Sequence, residues 1–466
     1  MNSSTAINYI GEKSKNRVFL KEVIMPCVLV ALLLTLGYFI NNRIIVIAAL
    51  GILGLSFLFN RLQNSFYILL FFIPYNNILK LSPDSISFLS IFSIELFLIC
   101  FFQILKSNNR LYSPLVFKLV LLILLSLITF NLNTDYLVEF IGNFIILLNL
   151  VFLSSLSNKI DYEKSIISYV LGFLFTSVSG LLIGKLPQMS EFIYINMVSR
   201  DLGNITRFTG VDKDPNYYGF YALFAITLLL ALKRSSKNYN ISIINILILI
   251  ISILGFLSFS KMFLLILVMI ILLIIINNFN KIYRNIKYIL YSAFGAILAW
   301  FFFSEKIYSY LISPYLERLI YNIDGGELSN GRIEILSEYI EILNSKIYII
   351  FFGSGFFRDA QELSLATHNT YLTLIYTFGI FGTIVLLSFV KDVANQLKQN
   401  VFSKNIGEES IKKDFNITIY LPILSILLSM FFLDLLYMRF YFYILFLSLV
   451  IINEHKFSRN LFKSKG

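Results

Sequence analysis

Apolar stretches of roughly 17 to 22 residues recur along almost the whole chain, and each is long enough to cross a hydrocarbon core of about 30 Å as a helix. Backbone groups in lipid must bond internally, so helices are the spanning form such a pattern predicts. The stretches lie at 24–40, 44–60, 65–79, 85–105, 114–132, 136–157, 165–185, 216–232, 241–258, 261–277, 288–304, 370–390, 417–434 and 436–453. The expected fold is therefore all-α: a polytopic integral membrane bundle of about 14 helices, with both termini on one side. The third stretch is short enough to be re-entrant. Only two connections are long, 186–215 and 305–369. They suggest an N-terminal transmembrane bundle (1–185), a core carrying both loops (186–390), and a C-terminal pair of spans with a basic tail (391–466).

The second loop is the longest polar segment. Within it Ile333, Leu336, Ile340 and Leu343 recur at helical spacing, with Glu334, Glu338 and Glu341 between them, which predicts an amphipathic helix starting at Asn330-Gly331. Arg332 falls in its first turn, where a cation opposes the helix dipole. A bound anion would explain that placement, because helix N–H groups and a guanidinium together suit a phosphate; a solvated surface arginine is the equal alternative. The loop closes with Gly353-Ser354-Gly355 and then His368-Asn369 at the start of the next span. The positive end of that helix disfavours imidazolium, leaving a neutral ring able to accept a proton, although a capping role is the plainer reading.

The first long loop ends in Arg207-Phe208-Thr209-Gly210, followed by Asp214-Pro215-Asn216. Asp214 is a good helix N-cap and Pro215 fits the first helical position, so a span starts there. Its unpaired N–H groups face the same side as Arg207. Ser260-Lys261 forms a short turn on that side; Lys261 reads either as an interfacial anchor or as a substrate-facing cation.

Composition sharpens the class. Of 466 residues, 58% are hydrophobic and 14% charged, with 38 basic against 27 acidic side chains and a net charge of +11. In a soluble protein that excess would suggest nucleic acid. Here the basic residues cluster on one side, before the first span, after the eighth and tenth, and in the C-terminal tail. The positive-inside rule places the termini in the cytoplasm and both long loops outside, and no nucleic-acid partner is needed. Cys27 and Cys100 fall within spans, which excludes an outer disulfide framework. No nucleotide-binding loop or metal-ligand cluster is evident. Among ionisable residues near spans, Lys118 can snorkel to the cytoplasmic end, Glu139 lies near an outer end, and Glu95 alone looks deep, where a carboxyl is a functional hypothesis.

The order Arg207-Phe208-Thr209-Gly210, Asp214-Pro215-Asn216, Asn330-Gly331-Arg332, Gly353-Ser354-Gly355 and His368-Asn369-Thr370-Tyr371-Leu372, with Gly379 and Gly382 beyond, resembles the O-antigen polymerase and O-antigen ligase family over roughly residues 200 to 390. Lys261 departs from the pattern: many relatives carry arginine there, so a cation is kept but bidentate phosphate gripping is not. The resemblance implies a metal-independent integral-membrane glycosyltransferase without cofactor, in a bacterial cytoplasmic membrane with its site facing outward. Its donor would be an undecaprenyl diphosphate-linked oligosaccharide and its acceptor a glycan. Flippase and chain-length regulator proteins would be accompanying partners. His368 would be the general base, and Arg207 and Arg332 would hold the diphosphate, with Arg200 and Lys261 as further cations. Asp214, Asn216 and Asn369 would support the site, and Tyr217, Tyr218 and Tyr371 could stack on sugars. A polymerase of O-antigen or capsule repeat units is the leading expectation, a ligase to lipid A core the second, and a lipid-linked oligosaccharide flippase the rival from another class. The flippase fits less well because the arginines and the histidine lie in outer loops rather than in a central cavity, and no internal repeat is visible.

Overall fold

The structure, a computed structural model, describes residues 17–81, 86–107, 111–128, 134–184, 186, 207–235, 239–277, 305, 308–309, 313, 316, 320, 332–355, 368–403, 417–436, 438 and 440–458. Its regular elements are helical, with no strand among the described residues. They are α1 (Met25–Phe39, entered through a π-helical turn at Leu20–Ile24), α2 (Arg43–Leu58), α3 (Leu62–Phe72), α4 (Phe88–Ser107), α5 (Ser113–Ile128), α6 (Thr134–Ser155), α7 (Tyr162–Ile183), α8 (Pro215–Ser235), α9 (Ile241–Phe256), α10 (Lys261–Asn277), α11 (Arg332–Ser345), α12 (Ile347–Phe352), α13 (Thr370–Ser403), α14 (Leu421–Ser429) and α15 (Tyr441–Ser458).

Five of the described helices are long and apolar enough to cross a membrane: Arg17–Phe39, Phe88–Lys106, Tyr162–Ile183, Pro215–Ser235 and Thr370–Asn400. Shorter apolar helices such as Arg43–Leu58 accompany them, and the chain is a helical membrane protein in class. The expected span 288–304 lies outside the described residues. Two other expected spans are truncated. The run at 65–79 forms only the 11-residue α3 and a 3-10 turn at Ile73–Tyr75, about 17 Å of α-helix at 1.5 Å per residue. The run at 417–434 yields a 3-10 turn at Ile417–Ile419 and the nine-residue α14, after which the backbone turns irregular.

Burial explains why these short pieces persist. Every residue of α3 from Asn64 to Phe72 is buried, as is almost all of α8. A helix apolar on all sides belongs in the centre of a bundle. α8 packs against α7, α9, α10 and α14, while α3 packs against α7. The close crossing of α7 over α3 needs Gly172, since a Cβ there would sit 2.0 Å from Phe71 O.

α13 organises the other half. It runs 34 residues but breaks at Gly379, with φ 62° and ψ −178°. The break frees carbonyls in the preceding turn, and three of them, on Leu374, Tyr376 and Thr377, find partners outside the regular ladder. Ser354 N–H donates to Tyr376 O at 2.7 Å and Gly355 N–H to Thr377 O at 2.9 Å, while the Thr383 hydroxyl donates to Leu374 O at 3.2 Å. Gly353-Ser354-Gly355 therefore lies along α13 more than a turn beyond its start.

The amphipathic helix forms, as α11, and Leu343 of the expected apolar stripe packs against its buried cluster. Ile335 and Tyr339 are buried, packing with Ile349 and Tyr376, while Leu336 and Ile340 are exposed. Tyr339 and Tyr376 meet with ring centroids 5.2 Å apart. The tyrosine at the i+4 position captured the helix face because Tyr376 offered it an aromatic partner.

Beyond the break, α13 carries Asp392, Gln396 and Asn400 four residues apart on one face. Gln396 and Asn400 bond to Ser154, Ser155 and Ser157 at the end of α6. Asp392 pairs with Lys118 of α5, whose ammonium also donates to Ser388 O at 3.2 Å. Lys118 thus reaches across to a carboxylate instead of snorkelling to the surface. Losing one partner leaves the other charge partly buried and unmatched. Lys118→Met or Asp392→Leu alone is expected to destabilise the purified protein by about 3 kcal/mol. The double variant should recover most of that loss in a thermal melt.

Glu95 faces α2, where a Cβ placed on Gly54 would lie 3.9 Å from Glu95 Oε1. The side chain of Glu139 lies outside the described residues.

Candidate functional site

The segment 207–214 is folded inward rather than looped into solvent. Phe208, Thr209, Val211 and Asp212 are buried, and Gly210 sits so close to α7 that a Cβ on Gly180 would fall 2.3 Å from Gly210 O. Phe208 N–H donates to Leu257 O at 2.9 Å, tying the segment to the turn between α9 and α10. Arg207 is 7% exposed. Its Nε–H donates to Ser258 O at 3.0 Å and its Nη2 to Asn216 Oδ1 at 3.4 Å. The Ser260 hydroxyl donates to the same Asn216 oxygen at 2.8 Å. Arg207, Asn216 and the turn leading into Lys261 thus form one unit, and Lys261, half-buried, opens α10.

Asp214 caps α8: Asn216 N–H donates to its Oδ1 at 2.7 Å. Asp212 braces the segment from below, its Oδ1 accepting Asn77 Nδ2–H at 2.8 Å and Asp214 N–H at 3.1 Å. Burial pushes the Asp212 carboxyl up to about 7, with the nearby Asp214 carboxylate adding to the rise and its hydrogen bonds opposing it. Because the folded value lies above the unfolded one, the unfolded chain releases this proton first, and folding stability falls as pH rises from about 4 to about 7. Asp212→Asn preserves both accepted bonds and cannot ionise. Its thermal midpoint is expected to change less than the wild type's between pH 5 and pH 8, which a melting series in detergent would measure.

At the second centre, His368 is half-buried and adopts φ 49°, the left-handed region that few non-glycine residues occupy. Asn369 follows as a cap, with Tyr371 N–H and Leu372 N–H donating to its Oδ1 at 2.9 and 3.3 Å. The first turn of α13 is bound to the irregular chain after α14. Thr370 N–H donates to Met430 O at 2.8 Å, the Thr370 hydroxyl donates to Leu433 O at 2.6 Å, and Leu435 N–H donates to that hydroxyl at 2.9 Å.

Asp434 connects the two centres. Its Oδ2 accepts the Thr373 hydroxyl at 2.9 Å, and its backbone carbonyl accepts the Tyr217 hydroxyl at 2.8 Å. Tyr217 adjoins Asn216 of the Arg207 unit, while Thr373 lies one turn after Asn369. Residue 434 falls at the end of the expected span 417–434 and is not among the expected site residues. The signal was present, since an acidic residue inside the apolar run 417–453 is unusual enough to be a functional hypothesis by itself.

Of the remaining expected residues, Arg332 is the first residue of α11, and its side chain lies outside the described residues, as does Arg200 altogether. The described face of α11 packs on α12 and α13 through Ile335, Tyr339, Ile349 and Tyr376. Among the described residues no group of three or more His, Cys, Asp or Glu side chains is arranged to hold a metal ion. Comparisons with models of known protein families, with curated proteins and with solved structures find no match for this chain.

Proposed function

We propose that this protein is a polysaccharide polymerase of the O-antigen polymerase and ligase kind, joining undecaprenyl diphosphate-linked oligosaccharide units at the outer face of a bacterial cytoplasmic membrane. The observation that supports it most is the linkage of a cation-bearing unit, Arg207 with Asn216 and the Ser260-Lys261 turn, to the His368 helix start through Asp434. The starts of α8 and α10 meet at the first, which suits a polyanion. A histidine at the second suits proton transfer.

In this reading an acceptor hydroxyl attacks the anomeric carbon of the donor glycan. The new C–O bond forms as the bond to the lipid diphosphate breaks, and the hydroxyl proton passes to His368. The leaving diphosphate takes the bonding electron pair, and Arg207, Lys261 and Arg332 offset its charge. Preorganised charge of this sort is often the largest single contribution to catalysis. Asn369 and Asp214 hold the two helix starts, and Asn216 orients Arg207.

Reconstitution into vesicles with purified lipid-linked repeat units as the sole glycan tests the reading. Elongation is expected without any lipid A acceptor. Products formed only when lipid A core is added would favour a ligase, and movement of lipid-linked units across the bilayer without bond formation would favour a flippase.

A further inference from the structure

We propose that Asp434 is a positioning residue that fixes the spacing between the Arg207 unit and His368; this rests on the glycosyltransferase reading above. The residue is 1% exposed and sits in irregular backbone between α14 and α15. Irregular backbone within a membrane protein is tolerated where it is enclosed by protein or lines a cavity. Here it is enclosed, because residues 430–435 meet the first turn of α13 at Thr370 and Thr373 and the first turn of α8 at Tyr217. These bonds join residues more than 200 positions apart at Tyr217 and about 60 apart at Thr370 and Thr373.

Asp434 is the one position in this segment that bonds both helix starts, with its carbonyl to α8 and its carboxylate to α13. The flanking Leu433 and Leu435 bond α13 through Thr370, and Leu433 N–H also donates back to Ser429 O of α14. Sliding α13 along α8 would break the Thr373 bond or the Tyr217 bond first. A displacement of about 1 Å between catalytic groups can cost about 10²-fold in rate. The carboxylate therefore acts on the reaction through Thr373 and the helix that carries His368, without contacting substrate.

The test compares Asp434→Ala, Thr373→Val and Thr373→Ser with wild type and with His368→Ala, all purified and assayed on lipid-linked repeat units. Asp434→Ala and Thr373→Val are each expected to lower kcat about 10- to 100-fold, with donor KM within about twofold of wild type. Thr373→Ser, which keeps the hydroxyl, should restore wild-type kcat. The double variant Asp434→Ala/Thr373→Val should be no slower than Thr373→Val, which already removes the bond to Asp434 along with the longer one from Thr373 to Asn369 O at 3.2 Å. Wild-type kcat in Asp434→Ala and Thr373→Val, a loss confined to KM, or fully additive losses would overturn the proposal.

Hydrogen exchange on the same proteins gives a readout independent of activity. Asp434→Ala should loosen the first turn of α13, which the carboxylate holds through Thr373, and leave the first turn of α8 protected, because the main-chain carbonyl of residue 434 still accepts the Tyr217 hydroxyl. Unchanged protection at the first turn of α13 would overturn the proposal even if the wild type formed no glycosidic bond, an outcome that would sink the glycosyltransferase reading separately.

Discussion

Replacing His368 with alanine is expected to slow glycan elongation by about 10²- to 10⁴-fold, the usual contribution of a positioned general base. Cells carrying the variant should accumulate single lipid-linked repeat units instead of long polymer. The backbone at this position allows chemistry to be separated from folding. At φ 49° histidine is held where asparagine and glycine sit with less strain. His368→Asn and His368→Gly should therefore melt at or above the wild-type temperature while elongating as poorly as His368→Ala. Polymer of normal length from the asparagine variant would remove His368 from the reaction and leave it a capping residue.

The largest structural effect is expected at the break in α13. Gly379 (φ 62°, ψ −178°) and Gly353 (φ 77°, ψ 177°) both occupy backbone space that is essentially restricted to glycine. They also face each other: a Cβ on Gly379 would stand 2.3 Å from Phe351 O, and one on Gly353 would stand 2.3 Å from Thr377 O. Backbone strain of about 1–3 kcal/mol thus adds to a clash with main-chain atoms that cannot rotate away. Gly379→Ala and Gly353→Ala are each expected to destabilise by about 4 kcal/mol or more, within the range reserved for named structural failures. Little folded protein should survive extraction. Gly51, in the middle of α2 with nothing within 4 Å of an added Cβ, is the control. Gly51→Ala should leave stability unchanged or raise it slightly, because alanine is the better helix former. Equal expression and melting of the Gly379 and Gly51 variants would show that the interlock is dispensable.

Much of the site's local structure was legible in the chain. Asp214-Pro215 announced the start of α8, because capping depends on residues within one turn; at α13 the expected capping residue was His368, and the cap is its neighbour Asn369. Arg207 and Lys261 were flagged separately as cations. Their meeting through Ser258, Asn216 and Ser260 was not legible, since neither end of the pattern points to the other. The amphipathic stripe of α11 was legible, whereas the burial of Tyr339 was not, because its aromatic partner Tyr376 lies on a helix distant in sequence. Lys118 looked like a snorkelling residue because Asp392, 274 positions away, was invisible to any local window.

Taken alone, the sequence determined the helical membrane class. Long apolar runs have a single way to satisfy their backbone in lipid, so their composition is sufficient. It also determined several helix starts, through side chains that cap their own N–H groups. Only the tertiary structure decided where helices stop short or break. Hydropathy reports whether a residue tolerates an apolar surrounding, whereas the end of α14 at Ser429 and the break at Gly379 depend on which distant donors and acceptors meet the freed carbonyls and N–H groups. The same physics set Asp434 between Tyr217 and Thr373: its main-chain carbonyl accepts from the first and its buried carboxylate from the second, and neither is its neighbour in sequence.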